Sequence, residues 1–239
     1  MKFVVTAGPT REPLDPVRFL SNRSSGKMGY AIALAALEAQ HEVTLISGPV
    51  ALPPPSGAKF LRVTTGEEMF AATRPEFLDC DVFVMCAAVS DYKPAKYAGE
   101  KMPKQRHPFL LPLVPARDIL SSLTSEPHRC FVVGFAAETH DLRAHAARKL
   151  EEKKCDLLVA NDVSRPDLGM EAEENELVIF FKNGEQEKLA REKKIGTRTS
   201  LAKKNCESAR KIFDKKNVTI SDSMKVKLFT LCSQTASAD

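Results

Sequence analysis

The chain has 239 residues, of which 43% are hydrophobic and 28% are charged, so it can form a sizeable core as one large domain or two small ones. Its formal net charge at pH 7 is +4, which is too small to indicate a nucleic-acid-binding protein by itself. No run of about 18 apolar residues occurs, so we expect no membrane span and no membrane partner, and the opening strand pattern argues against a secretory signal peptide.

Short, nearly all-apolar segments recur along the chain, and helical patterns lie between them. We interpret the apolar segments as strands buried on both faces of a parallel sheet; they cover residues 3–7, 43–47, 82–87, 131–136 and 157–160. The helical patterns cover residues 26–39, 65–77, 118–123 and 141–154, and the second begins with a capping box in which Glu68 follows Thr65 by three residues. This alternation predicts a Rossmann-like, doubly wound α/β fold with a mostly parallel sheet.

Two segments interrupt the alternation. Residues 88–115 have little apolar periodicity, and a loop of that length in a compact domain is usually functional or mobile; its cations are Lys93, Lys96, Lys101, Lys104 and Arg106. Further on, "NELVIFFKNGEQEKLA" predicts a hairpin around Asn183-Gly184 and hence an antiparallel edge to the sheet. We expect a basic helix from Gly196 to about residue 215. Residues 1–215 are then a single domain, and we expect residues 216–239 to be a partly disordered tail.

The stretch "SNRSSGKMG", residues 21–29, lies between the first strand and the first helix but matches neither standard phosphate-binding template. A dinucleotide fingerprint needs Gly-x-Gly-x-x-Gly directly after the strand, and a Walker A loop needs Gly-x-x-x-x-Gly-Lys-Ser/Thr. The physical chemistry of the stretch still favours anion binding. Gly26 and Gly29 allow the backbone to approach a ligand closely, and the start of the helix presents free N–H groups. The side chains of Ser24, Ser25 and Lys27 add hydrogen-bond donors. The alternative is a helix capped by Ser, with glycines for tight packing. The residues of this loop support the two interpretations about equally.

The six cysteines contain no Cys-x-x-Cys pair, and several lie in apolar runs such as "DVFVMCAAV". This pattern favours buried free thiols in a reducing cytosol over a metal site or a disulfide framework. We therefore expect a cytoplasmic protein.

Six motifs are more specific together than any one of them alone. In chain order they are "TAGPTREPLDPVRFLSNRSSGKMG", "SGPVALPPP", "CAAVSDYKP", "EKMPKQ", "VGFAAET" and "ANDVS". Over about residues 3–190 this series resembles phosphopantothenoylcysteine synthetase, the ligase of coenzyme A biosynthesis, and its bacterial form in particular. The decarboxylase domain to which that ligase is fused in many bacteria has no counterpart in this sequence, which therefore resembles the stand-alone type.

The resemblance implies a two-step reaction. The carboxylate of 4′-phosphopantothenate attacks the α-phosphate of CTP, which gives an acyl-cytidylate and pyrophosphate, and the amine of L-cysteine then displaces CMP to form the amide. The bacterial character of the first motif implies CTP rather than ATP, and Mg²⁺ would neutralise the triphosphate. Members of the family are homodimers, so the resemblance also implies a homodimer in which residues 92–115 are a lid or a dimer arm.

Two residues match catalytic positions of the family. Asn22 would stabilise the developing oxyanion and hold the acyl phosphate without adding charge, although an Asn here also suits a turn or a helix cap. Lys101 would reach the triphosphate and stabilise charge on the α-phosphate, the alternative being a solvated charge in a mobile lid. For Lys104 the two interpretations are equally supported.

The resemblance also implies a set of nucleotide- or phosphate-binding residues, but it identifies no metal ligands. The set consists of Ser24, Ser25, Gly26, Ala87, Ala88, Val89, Asp91, Ala116, Arg117, Asp118, Ile119, Phe135, Lys149 and Lys153. Some have ordinary alternatives: Asp91 suits an Asx turn and Phe135 a core position, and the two lysines suit a solvated helix face. The family usually has Asn-Pro-Asp-Ile where this chain has Ala116-Arg117-Asp118-Ile119, so base selectivity depends on whether the backbone or the lost Asn side chain reads the cytosine.

Two further classes of function stay open on the sequence. A nicotinamide or flavin oxidoreductase on a Rossmann-like sheet is disfavoured by the missing fingerprint. A non-catalytic nucleotide-binding protein related to the ligase is kept open by the altered Ala116-Arg117 turn and by the divergent C-terminal segment.

Overall fold

The fold is built on an eight-stranded sheet flanked by helices, as seen in a computed structural model that describes residues 1–104, 106–138, 141–162 and 177–189. The strands are β1 (Lys2–Ala7), β2 (Arg11–Pro13), β3 (Phe19–Ser21), β4 (Glu42–Ser47), β5 (Lys59–Arg62), β6 (Val82–Met85), β7 (Tyr92–Pro94), β8 (Leu113–Pro115), β9 (Phe131–Glu138), β10 (Leu157–Asp162), β11 (Leu177–Phe181) and β12 (Gln186–Leu189). The helices are α1 (Lys27–Glu38), α2 (Gly66–Leu78), α3 (Ile119–Thr124) and α4 (Leu142–Glu152).

The order of strands in the large sheet is β12-β11-β10-β9-β6-β1-β4-β5. The strands from β10 to β5 in that order run parallel, while β11 and β12 run antiparallel to their neighbours. The predicted Rossmann-like, mostly parallel α/β fold with an antiparallel edge hairpin is therefore confirmed. The apolar pattern does not predict β5, because this edge strand has only Phe60 and Leu61 between two charged residues.

The sheet has a separate apolar core on each face, because alternate residues of a strand point to opposite sides. Along β1, Phe3 and Val5 pack in the core that includes residues of α1, whereas Val4 packs in the core that includes residues of α2 and α3. Burial on both faces explains why the central strands β1, β4 and β6 are rich in apolar residues.

The starts of α1 and α2 are stabilised differently. Thr65 caps α2, since its hydroxyl accepts a hydrogen bond from the Glu68 N–H at 3.1 Å, as the capping box predicts. The Glu68 carboxylate, however, accepts from the Thr64 N–H at 2.7 Å instead of from Thr65. Gly26 caps α1 with a φ of 78° and without a side-chain hydrogen bond, so the Ser-capped alternative for this helix is wrong.

The predicted lid, residues 92–115, begins and ends in a two-stranded ribbon. In this ribbon β7 and β8 pair antiparallel, with Lys93 opposite Val114. Between the two strands the chain is tied to the β2–β3 hairpin, because the Ala98 N–H donates to the Leu14 carbonyl at 2.9 Å. We call residues 92–115 the arm.

Several predictions for the C-terminal part lie outside the described residues: the basic helix after Gly196, the domain end at residue 215, the tail at 216–239, and the state of Cys206 and Cys232. In the described part, Cys80, Cys86, Cys130 and Cys155 are free thiols. In that same part of the chain, no helix combines the length and the apolar character that a membrane span needs.

Candidate active site

The segments that follow β1 and β6 are joined by backbone hydrogen bonds, and this junction carries the first motif of the chain. The Ala88 N–H donates to the Gly8 carbonyl at 2.9 Å, and the Thr10 N–H donates to the Ala88 carbonyl at 3.2 Å. The Thr10 hydroxyl is buried and accepts a hydrogen bond from the Ser90 N–H at 3.1 Å. Since ligands of open α/β sheets bind beyond the carboxyl ends of the strands, these contacts fix both segments where a ligand is expected.

Asn22, the predicted catalytic amide, lies at this junction. Its Nδ2 atom donates a hydrogen bond to the Ala88 carbonyl at 2.9 Å, and the side chain is exposed. An amide held through one N–H keeps its second N–H for a ligand. The alternative of a helix cap does not hold, because Gly26 is the cap of α1. The structure thus orients Asn22, while its catalytic role stays a prediction.

The loop before α1 is shaped by glycine and serine. A Cβ atom built on Gly26 would lie 2.8 Å from Val50 Cγ1 and 3.3 Å from the Gly8 Cα, and the left-handed φ also favours glycine. The hydroxyls of Ser24 and Ser25 accept hydrogen bonds from N–H groups two residues further on. The first turn of α1, which is described in full, contains no acidic residue, so a bound anion would meet no like charge on that turn.

A cleft of about 250 Å³ lies beside the junction, between the end of β6, the start of α3 and the end of α4. Most of the residues predicted to bind the nucleotide line it: Ala87, Val89, Asp91, Ala116, Arg117, Asp118, Ile119, Phe135, Lys149 and Lys153. The predicted residues that do not line it are Ala88, Asn22, Ser24, Ser25, Gly26 and Lys101. We call it the nucleotide cleft, with its ligand as a prediction.

The nucleotide cleft carries both signs of charge, contributed by Arg117, Lys149, Lys153, Asp91 and Asp118. Asp118 caps α3: its carboxylate accepts hydrogen bonds from the Ser121 N–H at 3.0 Å and from the Ser121 hydroxyl at 2.9 Å, and it forms an ion pair with Lys153. Burial acts to raise the pKa of the Asp118 carboxyl, but the hydrogen bonds from Lys153 and Ser121 outweigh it and hold that pKa below its ordinary value. Asp118 is therefore ionised at neutral pH and orients Lys153 at the C-terminal end of α4.

The side chain of Arg117 is held against α2. Its Nε atom donates to the Glu67 carboxylate at 3.0 Å, and its guanidinium carbon lies 4.4 Å from the centre of the Phe70 ring. The hydrogen bond from Arg117 lowers the pKa of the Glu67 carboxyl. The neighbouring backbone is fixed as well, since the Ala116 N–H donates to the Asp91 carbonyl at 2.8 Å.

Lys101, the second predicted catalytic residue, lies apart from the nucleotide-binding residues. It lines a separate basic pocket of about 560 Å³ on the arm, together with Arg18, Lys104 and His107. The structure therefore does not bring Lys101 to the wall of the nucleotide cleft, and its contact with a triphosphate stays a prediction.

Arg18 is a functional candidate that motif matching did not single out. The buried Asp15 carboxylate accepts hydrogen bonds from the Arg18 Nε at 2.9 Å and from the Met102 N–H at 3.1 Å, and the Arg18 guanidinium donates to the Met102 carbonyl at 2.8 Å. The hydrogen bonds from Arg18 hold the pKa of the Asp15 carboxyl far below its ordinary value. The spacing of Asp15 and Arg18 inside the first motif was the available signal, because a carboxylate and a guanidinium three residues apart can pair across a turn.

Metal binding by side chains alone finds little support in the described residues, among which no group of three or more His, Cys, Asp or Glu side chains could hold an ion. Two carboxylates line the nucleotide cleft, and carboxylate oxygen is a ligand that Mg²⁺ prefers. Asp118 is engaged by Ser121 and Lys153. Asp91 is therefore the residue that best fits an Mg²⁺ ion carried in on a nucleotide.

Comparison with known proteins shows close relatives. A family model described as the DNA/pantothenate metabolism flavoprotein C-terminal domain matches residues 1–208. The chain is 45% identical over 186 residues to the coenzyme A biosynthesis bifunctional protein CoaBC of Vibrio vulnificus (strain CMCP6), a match that covers 77% of this chain and 46% of the relative. To the protein of the same name from Bacillus subtilis (strain 168) it is 44% identical over 187 residues, with 78% and 46% covered. The chain thus spans about half the length of the curated relatives that it matches.

Solved structures agree with this assignment. The crystal structure of the C-terminal domain of the bifunctional protein CoaBC has a TM-score of 0.70 at 34% identity, covering 90% of this chain and 96% of that one. The DNA/pantothenate metabolism flavoprotein from Streptococcus pneumoniae has a TM-score of 0.68 at 24% identity, covering 79% and 92%, and supports the fold alone. The resemblance carried by the six motifs is thereby confirmed, and the chain belongs to the family of the DNA/pantothenate metabolism flavoprotein C-terminal domain, the phosphopantothenoylcysteine synthetase family.

Proposed function

We propose that the chain acts in coenzyme A biosynthesis as a ligase that joins 4′-phosphopantothenate to L-cysteine and uses CTP to activate the carboxylate. The proposal depends on one observation: the Ala88 carbonyl accepts two hydrogen bonds, one from the Thr10 N–H and one from the Asn22 amide. The Asn22 loop thereby meets the edge of the nucleotide cleft, where an activated acyl group would form. The names of the relatives support the pathway, and the cytoplasmic location stays a prediction.

The first step forms a mixed anhydride. A carboxylate oxygen of 4′-phosphopantothenate bonds to the α-phosphorus of CTP, the bond to the leaving pyrophosphate breaks, and an acyl-cytidylate results. Asn22 donates a hydrogen bond to the charge that develops there, and Lys149 and Lys153 attract the nucleotide phosphates. Asp91 would hold an Mg²⁺ ion bound with the nucleotide, and that ion would supply positive charge to neutralise the triphosphate.

The second step consumes the intermediate. The amine of L-cysteine attacks the acyl carbon, CMP leaves with the electron pair of the anhydride bond, and the amine loses a proton. The neutral Asn22 amide suits both steps, because it can hold the acyl phosphate without a charge that would repel it or trap it.

We also propose a homodimer formed through the β2–β3 hairpin and the arm. Large exposed apolar side chains concentrate on the β2–β3 hairpin and on the arm, namely Val17, Phe19, Tyr92, Tyr97, Phe109, Leu110, Leu113 and Val114. Leu110 is 96% exposed, and clustered exposed apolar surface is typical of interaction sites. Light scattering at micromolar concentration should give the dimer mass, and a fully active monomer would contradict this proposal.

The deciding experiment follows the two half-reactions separately. Pyrophosphate should appear when the protein is mixed with CTP, Mg²⁺ and 4′-phosphopantothenate, and CMP should appear only after L-cysteine is added. Retained CTP binding with neither product would instead favour the non-catalytic nucleotide-binding protein, which the altered Ala116-Arg117 turn keeps in view.

Two variants test the assigned roles. Asn22→Asp should lower the rate of pyrophosphate release by about 10²–10³-fold, the range for losing one oxyanion donor, with little change in melting temperature. Asn183→Asp, the same change in the exposed hairpin turn, is the matched control for the rate of pyrophosphate release; because it sets a second carboxylate beside Glu185, its melting temperature is not compared. Lys101→Gln should slow the first half-reaction more than the second. Losses of melting temperature that parallel the losses of activity would assign both residues structural roles.

A further inference from the structure

Glu67, in the first turn of α2, contacts strand β7 of the ribbon and the segment that follows β8. Its carboxylate lies 3.0 Å from Arg117 Nε and 3.4 Å from Lys93 Nζ. Lys93 is the central residue of β7, and Arg117 follows β8 by two residues. One carboxylate therefore ties to α2 both the first strand of the arm and the chain two residues beyond its last strand. We call Glu67, Phe70, Lys93 and Arg117 the α2 clamp.

The α2 clamp lies next to the nucleotide cleft because the ribbon leads directly into the wall of the cleft. Asp91 immediately precedes β7 and Ala116 immediately follows β8, and the N–H of Ala116 donates to the carbonyl of Asp91 at 2.8 Å. Both residues line the cleft. A shift of the ribbon relative to α2 would therefore displace two residues of the cleft wall.

Within the clamp, the Arg117 guanidinium is already engaged on α2. It hydrogen-bonds Glu67 and lies 4.4 Å from the centre of the Phe70 ring, so it would have to give up both contacts to turn toward a ligand. Arg117 thus serves as an attachment to α2.

We propose that Glu67 is a positioning residue that fixes the ribbon of the arm against α2, and that Arg117 affects nucleotide binding through this clamp and not by contacting the base. The proposal rests on the proposed function for its kinetic consequences. The ion-paired side chains are 36–47% exposed, and such contacts are individually weak. The expected change in the KM for CTP is therefore on the order of three- to ten-fold.

Glu67→Gln and Glu68→Gln form a matched pair of variants, because both remove one carboxylate from the first turn of α2. Glu68 accepts a hydrogen bond from the Thr64 N–H and takes no part in the clamp. Glu67→Gln is expected to raise the KM for CTP three- to ten-fold with kcat within about two-fold, while Glu68→Gln leaves the KM unchanged. Equal KM values in the two variants would overturn the positioning role.

Arg117→Met separates the clamp from a direct base contact, since it keeps an apolar stem and removes the charge. In Arg117→Met, kcat/KM should fall by the same factor for CTP and for UTP. In the double variant with Glu67→Gln, this loss of kcat/KM should hardly increase. A changed CTP-to-UTP ratio would show that Arg117 reads the base and would overturn the proposal.

A measurement without substrates distinguishes failure of the clamp from failure of the proposed function. Hydrogen exchange at the Ala95 and Ala116 amides, both hydrogen-bonded at the ribbon, should be several-fold faster in Glu67→Gln than in Glu68→Gln. Faster exchange in a protein that releases no pyrophosphate would uphold the clamp and reject the ligase. Unchanged exchange in an active enzyme would uphold the ligase and reject the clamp.

Discussion

Gly29→Ala is expected to destabilise the protein even though it places the best helix former inside a helix. Gly29 is buried in the first turn of α1, and Ala in place of a helical Gly gains about 1 kcal/mol where the side chain has room. Here a Cβ atom would lie 2.6 Å from the Ala7 Cβ, 3.0 Å from the Thr6 carbonyl oxygen and 3.1 Å from the Ala7 Cα. Two of these atoms belong to the backbone of β1, which is paired on both sides, so α1 would have to move.

The packing cost outweighs the gain in helix propensity. Overpacking costs about 1–3 kcal/mol, and contacts this short against a central strand belong to the upper part of that range. Subtracting the helical gain leaves a net loss of roughly 1–2 kcal/mol in the free energy of unfolding. Urea unfolding followed by circular dichroism measures this loss, and a slope of about 2 kcal/mol per molar converts it to a midpoint lower by roughly 0.5–1 M.

Gly99→Ala is the control, because a Cβ atom at this position would meet no atom within 4 Å and the backbone is not left-handed. Its free energy of unfolding should stay within about 0.5 kcal/mol of the wild-type value. Gly29→Ala also keeps the N–H of residue 29, so slower pyrophosphate release by the folded variant would report a displaced loop. A Gly29→Ala protein as stable as the wild type would refute the packing argument.

Three further predictions concern single buried or partly buried groups. The pKa of the Asp118 carboxyl lies below its ordinary value of 3.8 in the folded protein, so the ionised carboxylate contributes to stability above pH 3.8. This contribution is lost as the pH falls through the folded-state pKa. The melting temperature should therefore fall less steeply between pH 6 and pH 3 in Asp118→Asn than in the wild type. Cys155 is buried, which raises the pKa of its thiol to about 12, so iodoacetamide at about pH 8 should modify it only after unfolding, as mass spectrometry of its peptide would show. Thr10→Val leaves the Ser90 N–H without its acceptor and should cost about 1–3 kcal/mol in urea unfolding, while Thr10→Ser retains most of the stability; equal losses would contradict the role of the hydroxyl.

The long central strands and the helices could be predicted from sequence because their patterns are set by burial. A strand such as β6 is covered on both faces, so its apolar residues form an unbroken run, and Thr65 marks the start of α2 by a local hydrogen bond. The short strands of the β2–β3 hairpin and of the arm could not be predicted in this way. They have three residues each and mixed composition, and their pairing depends on the surrounding tertiary contacts.

The members of the nucleotide cleft could be predicted only from the ordered motifs, since Asp91, Asp118 and Lys153 are far apart in the chain and meet through the sheet. Their partners could not be predicted. The ion pair of Arg117 with Glu67 joins residues 50 apart, and nothing in either local sequence specifies it. The same holds for Arg18, whose contact with the Met102 backbone depends on how the arm packs on the hairpin.

Lys101 lies outside the nucleotide cleft, but this placement is compatible with a reaction centre that it shares with Asn22. Strand β3 links the two residues indirectly, through a contact of Arg18 with the neighbour of Lys101. Arg18 directly precedes β3 and binds the backbone of Met102, the neighbour of Lys101, while Asn22 directly follows β3. At about 3.3 Å per residue, the four steps from Arg18 to Asn22 span about 13 Å. Lys101 is thus anchored to the strand that presents Asn22, although the two are 79 positions apart in the sequence. A displacement of the β2–β3 hairpin would carry both groups together, so the first motif couples the arm to the site at which we propose acyl activation.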